Sequence, residues 1–180
     1  MINQMDDKII LLRKATYDDL NDIYNNVWND KMLFVNMFYD GSYSLDEAEA
    51  RLKRTIEYQK NHYSYFIEYK NTKEVIGFCG VLEQEEHSFI ETGICICKKY
   101  QNIGIGTKTL GMLIDLLFNK LDCDKFICSA VRNNTKSKKM FARYNFDYFN
   151  TTVEKREYDN ESLICDYYVL TKDKYLKKDL

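Results

Sequence analysis

The stretch that most constrains this chain is 89–121, where an apolar run passes through two glycines into a helix. Phe89–Cys97 has the β-branched and apolar content of a buried strand. Gly104 and Gly106 follow, and Leu110, Leu113, Ile114, Leu117, Phe118 and Leu121 then fall on one helical face. A buried strand that feeds an amphipathic helix needs a shared core, so the fold must contain a sheet with helices packed on it. The start of such a helix exposes backbone N–H groups that have no partner inside it, which favours an anion there. Glycine lets a phosphate approach those groups without a Cβ in the way. The chain has 7 glycines and no proline in 180 residues, yet Gly93, Gly104, Gly106 and Gly111 all belong to this stretch. That concentration points to a binding turn.

The remaining elements extend this unit. Ile9–Leu12 reads as an opening strand. Thr16-Tyr-Asp-Asp19 resembles a capping box, ahead of Leu20, Ile23, Tyr24, Val27 and Trp28 at helical spacing. Ser44-Leu-Asp-Glu47 starts a second helix that runs to about His62. Tyr63–Tyr69 and Val75–Leu82 form a hairpin across Asn71-Thr72-Lys73, and Glu83–Glu86 is expected to be a turn before the strand at 89. Phe126–Val131 is a short strand, and Ser137, Met140, Phe141 and Tyr144 mark a further helix. Two last strands, about Phe146–Tyr158 and Ser162–Leu170, are joined through Asp159-Asn160. The order predicts an α/β (α+β) fold, a mixed sheet of about seven strands flanked by four helices. A chain of this length is expected to be one domain, 1–180, with its core at about 8–172.

Composition excludes several function classes. Lys and Arg total 26 against 28 Asp and Glu, a formal charge of -2, which disfavours a general nucleic-acid surface. The basic segment Arg132–Lys139 leaves a local patch open. The polar, acidic start has the wrong chemistry for a targeting peptide, and no apolar run approaches the ~20 residues of a membrane helix, so no membrane contact and a cytoplasmic location are expected. The six cysteines form no CxxC pair, and with two histidines there is no zinc spacing, so no metal is expected. Cysteines within apolar runs read as small buried hydrophobes of a reducing compartment, although Cys95 and Cys97 share one strand face.

Two phosphate-loop patterns fail. A Rossmann G-x-G-x-x-G would need glycine at Thr109, and a Walker loop would need lysine where Met112 follows Gly111. The segment instead reads Gln101-x-x-Gly104-x-Gly106. Asn134-Thr-Lys-Ser137 opens a helix after the next strand, and Asn145-Phe146 closes it where a Gly-Phe pair is common. Asparagine tolerates the left-handed helix stop well. With Leu12–Thr16 and Asp19-Leu20 upstream, the chain resembles the GCN5-related N-acetyltransferases (GNAT) over roughly 8–172. Trp28-Asn29-Asp30, helix 44–61, Glu91 before Gly93, and Asp166 resemble the RimJ/RimL-like branch. That branch acetylates protein N-termini, and its relatives modify polyamines, antibiotics and other small amines.

The resemblance implies a mostly antiparallel sheet, acetyl-CoA as cosubstrate and a primary amine as acceptor, joined by direct attack in a ternary complex. The pantetheine arm would pair with the backbone of Ile94, Cys95 and Ile96, on a strand that splays from its neighbour. The pyrophosphate would lie on Asn102, Ile103, Gly104, Ile105, Gly106 and Thr107. Lys98, Lys99, Lys136, Lys138 and Lys139 are either its counter-charges or solvated surface groups. Asn134 would bond the pantetheine region with support from Ser137; a plain helix cap is the other reading. Glu91 is the candidate base, through water. Glu85 or Glu86 is a candidate for selecting a cationic substrate. Ser129 stands where some relatives carry a carboxylate, and Phe141 where many carry a tyrosine acid. Tyr144, on the same helix, is the candidate acid, with water as the alternative. Phe38, Tyr43, Tyr63 and Tyr65 line either the acceptor cleft or the core. Other readings are an acyl-CoA-binding accessory or sensor protein with impaired catalysis, and a nucleic-acid or partner-binding domain. Family members commonly form homodimers.

Overall fold

The computed structural model describes residues 2–177; Met1 and residues 178–180 of the expected 1–180 domain lie outside the described residues. The strands are β1 (Gln4–Asp6), β2 (Ile10–Arg13), β3 (Tyr63–Tyr69), β4 (Val75–Glu85), β5 (Ser88–Ile96), β6 (Lys125–Val131), β7 (Asp147–Lys155) and β8 (Ser162–Thr171). The α-helices are α1 (Leu20–Ile23), α2 (Leu45–Gln59), α3 (Ile105–Lys120), α4 (Thr135–Arg143) and α5 (Lys172–Leu176). The strands form an open eight-stranded sheet in the order β1-β2-β3-β4-β5-β6-β8-β7. The β5–β6 pairing is parallel, while β1–β2, β2–β3, β3–β4, β6–β8 and β7–β8 are antiparallel.

The mixed α/β class agrees with expectation, and the count exceeds it by one strand and one helix. The extra strand β1 is a polar three-residue edge with no apolar alternation to announce it. The extra helix α5 is a short segment with no buried residue. The turn expected over Glu83–Glu86 is narrower, because β4 continues to Glu85. The chain reverses over Glu86 and His87, where His87 takes φ 58 and its N–H donates to Glu83 Oε1 at 3.1 Å.

The chain divides into two compact units: the chain through Val81 with Thr92–Thr109, and Leu82–Glu91 with the chain from Leu110 onward. In the first, α1 is entered through a 3-10 turn, Tyr17–Asp19, and continued by a π turn, Tyr24–Trp28. The π turn closes with the Asn29 N–H on the Tyr24 carbonyl at 3.1 Å and leaves Val27 and Trp28 buried. Asp19 accepts the Thr16 N–H at 2.7 Å and pairs with Arg13, which also reaches Glu68 at 2.7 Å. Helix α2 begins at Ser44, whose Oγ accepts the Glu47 N–H at 3.2 Å while Glu47 accepts the Tyr43 N–H at 2.8 Å. Ile10, Leu12, Ile23, Leu52, Phe66 and Ile76 fill this unit's core.

The second unit is built on β6 and β8, paired over seven residues from Lys125↔Thr171 to Val131↔Cys165. Phe126, Cys128 and Ala130 alternate into the interior along β6. Leu110, Leu113, Ile114, Leu117 and Phe118 of α3 are buried, as the heptad-like spacing predicts. Helix α4 ends at Asn145 in the left-handed region (φ 58), with the Phe146 N–H on the Phe141 carbonyl at 3.2 Å. This is a Schellman-type stop in which asparagine replaces glycine.

Candidate active site

Within the first unit, β5 runs to Ile96 and passes through a 3-10 turn, Lys98–Tyr100, into the loop before α3. Tyr100 is buried, packs at a tilt against Tyr69 with ring centroids 4.7 Å apart, and donates its hydroxyl to Glu74 at 2.7 Å. Gln101 donates Nε2 to the Ile96 carbonyl at 2.8 Å, which ties the loop to the end of its own strand. Asn102 (φ 63) and Gly104 (φ 89) then turn the backbone outward, and Ile103 is 64% exposed. The Gly104 carbonyl accepts the Lys108 N–H at 3.0 Å, so Gly104 is the N-cap and Ile105, Gly106 and Thr107 form the first turn. A Cβ at Gly104 would meet nothing within 4 Å, so glycine is there for its φ and the space above it is open. Exposed backbone at a helix N-terminus with an open approach suits a pyrophosphate.

Ile94, Cys95, Ile96 and residues 102–107 all belong to the first unit, with Cys95, Ile96 and Ile105 buried and Asn102, Ile103 and Gly104 exposed. Burial pushes the Cys95 thiol up to about 12, which removes it as a nucleophile at neutral pH. Of the candidate lysines, Lys98 pairs with Asp30 at 2.9 Å, Lys99 with Glu74 at 3.4 Å and Lys138 with Asp166 at 2.6 Å. Lys136 and Lys139 are exposed on α4.

Glu91, Asn134, Ser137 and Tyr144 belong to the second unit. The parallel β5–β6 ladder there covers three pairs, Ser88↔Lys125, Phe89↔Phe126 and Ile90↔Ile127, and Glu91 is the next residue. It is half-buried, and its charge adds to the burial that raises the Cys128 thiol well above its ordinary value. Asn134 caps α4, its side-chain oxygen accepting the Ser137 N–H at 3.3 Å. Phe141 is buried against Phe146 and Tyr168 at 5.8 and 5.4 Å. The Tyr144 hydroxyl lies against α3, where a Cβ on Gly111 would come within 2.2 Å of it.

Two groupings go beyond the sequence reading, which named Asp166 only for its resemblance to a branch of the family. Asp166, buried on β8, accepts from Arg132 at 2.8 Å, Lys138 at 2.6 Å and Thr151 at 2.6 Å. It holds both sides of the Asn134 cap, with Arg132 before it and Lys138 within α4. These bonds, Arg132 first, keep its carboxyl well below the usual range. In the first unit Tyr39 and Arg51 approach β5, with the Tyr39 hydroxyl where Gly93 (φ 130) lacks a Cβ. Of the proposed acceptor residues, Tyr65 is buried with its hydroxyl on the Ile2 carbonyl at 2.8 Å, Tyr43 bonds Asp40, Tyr63 is half-buried and Phe38 is 39% exposed.

Residues 10–147 match the acetyltransferase (GNAT) domain. The chain belongs to the GNAT acetyltransferases. These enzymes use acetyl-CoA as the acetyl donor. The chain is 27% identical over 142 residues to the "Uncharacterized N-acetyltransferase p20" of Bacillus licheniformis, covering 76% of this chain and 78% of that one. A GCN5-related N-acetyltransferase from Brucella melitensis shares the GNAT fold with TM-score 0.84 at 10% identity, covering 97% of this chain and 80% of that one. The ribosomal-protein-S5-alanine acetyltransferase of Vibrio fischeri does so with TM-score 0.78 at 18% identity, covering 97% and 99%. Among the described residues no group of three metal-ligating side chains converges, and no helix is long and apolar enough to cross a membrane.

Proposed function

We propose that this GNAT domain transfers the acetyl group of acetyl-CoA to a primary amine in a ternary complex, as a RimJ/RimL-like enzyme. The observation that carries this reading is the open loop from Asn102 to Thr107, with glycine where φ demands it and Gln101 pinning the loop to β5. Its first-turn backbone would hold the pyrophosphate and the Ile94–Ile96 backbone the pantetheine arm. Acetyl-CoA supplies an activated thioester. Glu91, where the β5–β6 ladder ends, takes the proton of the acceptor ammonium through water, and the freed amine attacks the acetyl carbonyl. A backbone N–H of β5 stabilises the oxyanion. The attacking nitrogen gives up its surplus proton to water, carbon–sulfur cleavage releases the CoA thiolate, and the thiolate takes a proton from Tyr144 or from water; thiols titrate near 8.5, so little acid assistance is needed. The buried, neutral Cys95 is in keeping with direct transfer, without an acyl-cysteine.

Acetyl-CoA at about 100 times its Kd should raise stability by ~2.7 kcal/mol, read as a higher Tm. An unchanged Tm at millimolar acetyl-CoA contradicts the reading. Glu91→Gln should lower kcat by about 10²–10⁴ and abolish the acid limb of its pH profile; an unchanged profile removes Glu91 as the base.

A further inference from the structure

We infer that the acceptor amine also carries a carboxylate and that Arg51 receives it, an inference that rests on the acetyltransferase reading and names its substrate class. Arg51 projects from α2 into a cage of aromatic rings. Its guanidinium carbon lies 4.7 Å from the ring centroid of Trp28, 5.6 Å from Phe34 and 5.8 Å from Tyr39. A guanidinium carries five N–H donors. Here one hydrogen bond is made, from Nη1 to the Asp40 carbonyl at 2.8 Å, and among the described residues no carboxylate pairs with the group. Asp40 Oδ1 is engaged elsewhere, taking the Gly41 N–H at 2.7 Å and the Tyr43 hydroxyl. Burial lowers the Arg51 pKa from its usual value and outweighs the opposing charges of its neighbours, Asp40 among them.

Charges drawn out of water are ordinarily paired, so a half-buried guanidinium held among rings is a candidate site for an anion. Its position bears on catalysis. Arg51 interacts electrostatically with Cys95, and the Tyr39 hydroxyl rests against Gly93, both on the strand assigned to acetyl-CoA. Arg54, one turn further along α2, adds a second positive charge. A carboxylate seated on Arg51 would gain bidentate, charge-assisted hydrogen bonds and would hold its amine beside β5. Polyamines and peptide N-termini lack that group. The fitting acceptor is a small amino acid or similar amino carboxylate.

The test compares kcat/KM for amino acids and their decarboxylated counterparts, such as lysine with cadaverine, histidine with histamine and tyrosine with tyramine. At least one amino acid should exceed its counterpart by about tenfold or more, the ratio expected from one or two charged hydrogen bonds. Arg51→Gln should bring the pair close to parity by lowering only the amino-acid rate, and Arg51→Lys should recover part of the preference. Decarboxylated amines equal to or better than their amino acids throughout, or equal losses on both members in Arg51→Gln, would overturn the inference. Trp28 is the chain's one tryptophan and gives a readout without turnover. Its emission should change on titration with the preferred amino acid and stay constant in Arg51→Gln. If no amine releases thiol, the acetyltransferase reading fails, and Trp28 titration with the amino acids decides Arg51: a flat response overturns its carboxylate site.

Discussion

Gly104 shows how much a single residue carries in this chain. Its φ of 89 lies where side chains are strained, while the space around it is open, so an added methyl meets only a backbone penalty. Gly104→Ala should cost about 1–2 kcal/mol of stability and shrink the Tm rise given by acetyl-CoA, because the loop would relax away from the pose that aims its N–H groups. A full ligand-induced shift in the variant would show that the loop does not hold the cofactor. This glycine was legible in the sequence because a turn before a helix has few other uses for one. Asn145 was legible for a related reason, asparagine being the non-glycine residue that best tolerates a left-handed backbone. Arg51 was not. A long cationic side chain on a helix otherwise reads as a solvated face, and its partners Trp28, Phe34 and Tyr39 come from an irregular segment whose path no periodicity reveals.

Between elements, short polar ties do the positioning. Asp7 sits in the turn between β1 and β2, accepts the N–H groups of Ile9 and Ile10 at 2.8 and 3.0 Å, and pairs with Lys108 on α3 at 2.5 Å. Burial pushes its carboxyl upward, but the bonds to Lys108, Ile10 and Ile9 outweigh that and bring it down to about 2. A folded-state pKa below the ordinary 3.8 means that Asp7 stabilises fully above that value and loses its contribution as pH falls toward 2. Denaturant melts should therefore show Asp7→Asn to be less stable than wild type near neutral pH, with the difference narrowing near pH 2; a gap that persists in acid would contradict this. The long elements were readable because α3 repeats its apolar face over several turns and Ser44 with Glu47 forms a reciprocal cap. Strand β1 and the π turn at Tyr24–Trp28 were not, since three polar residues and one widened turn leave no pattern. The Asp166 network was hidden for another reason: it joins β6, α4, β7 and β8, whose strand pairings a single sequence does not fix.

For the molecule as a whole, the mixed sheet and the order of elements followed from alternating strand and helix periods, and the GNAT domain match over residues 10–147 agrees with them. The acceptor was not readable, because no motif names it and the residues proposed to choose it come from α2 and the irregular segment before it. The central claim is acetyl transfer to an amine, and one assay reaches it directly. The purified chain is incubated with acetyl-CoA and a panel of amino acids, polyamines, aminoglycosides and N-terminal peptides, with free thiol and acetylated product measured together. The account predicts amine-dependent thiol release matched by N-acetylated product in equal amount. Acetyl-CoA that binds and raises Tm, yet yields no acetylated amine across the panel, would contradict it.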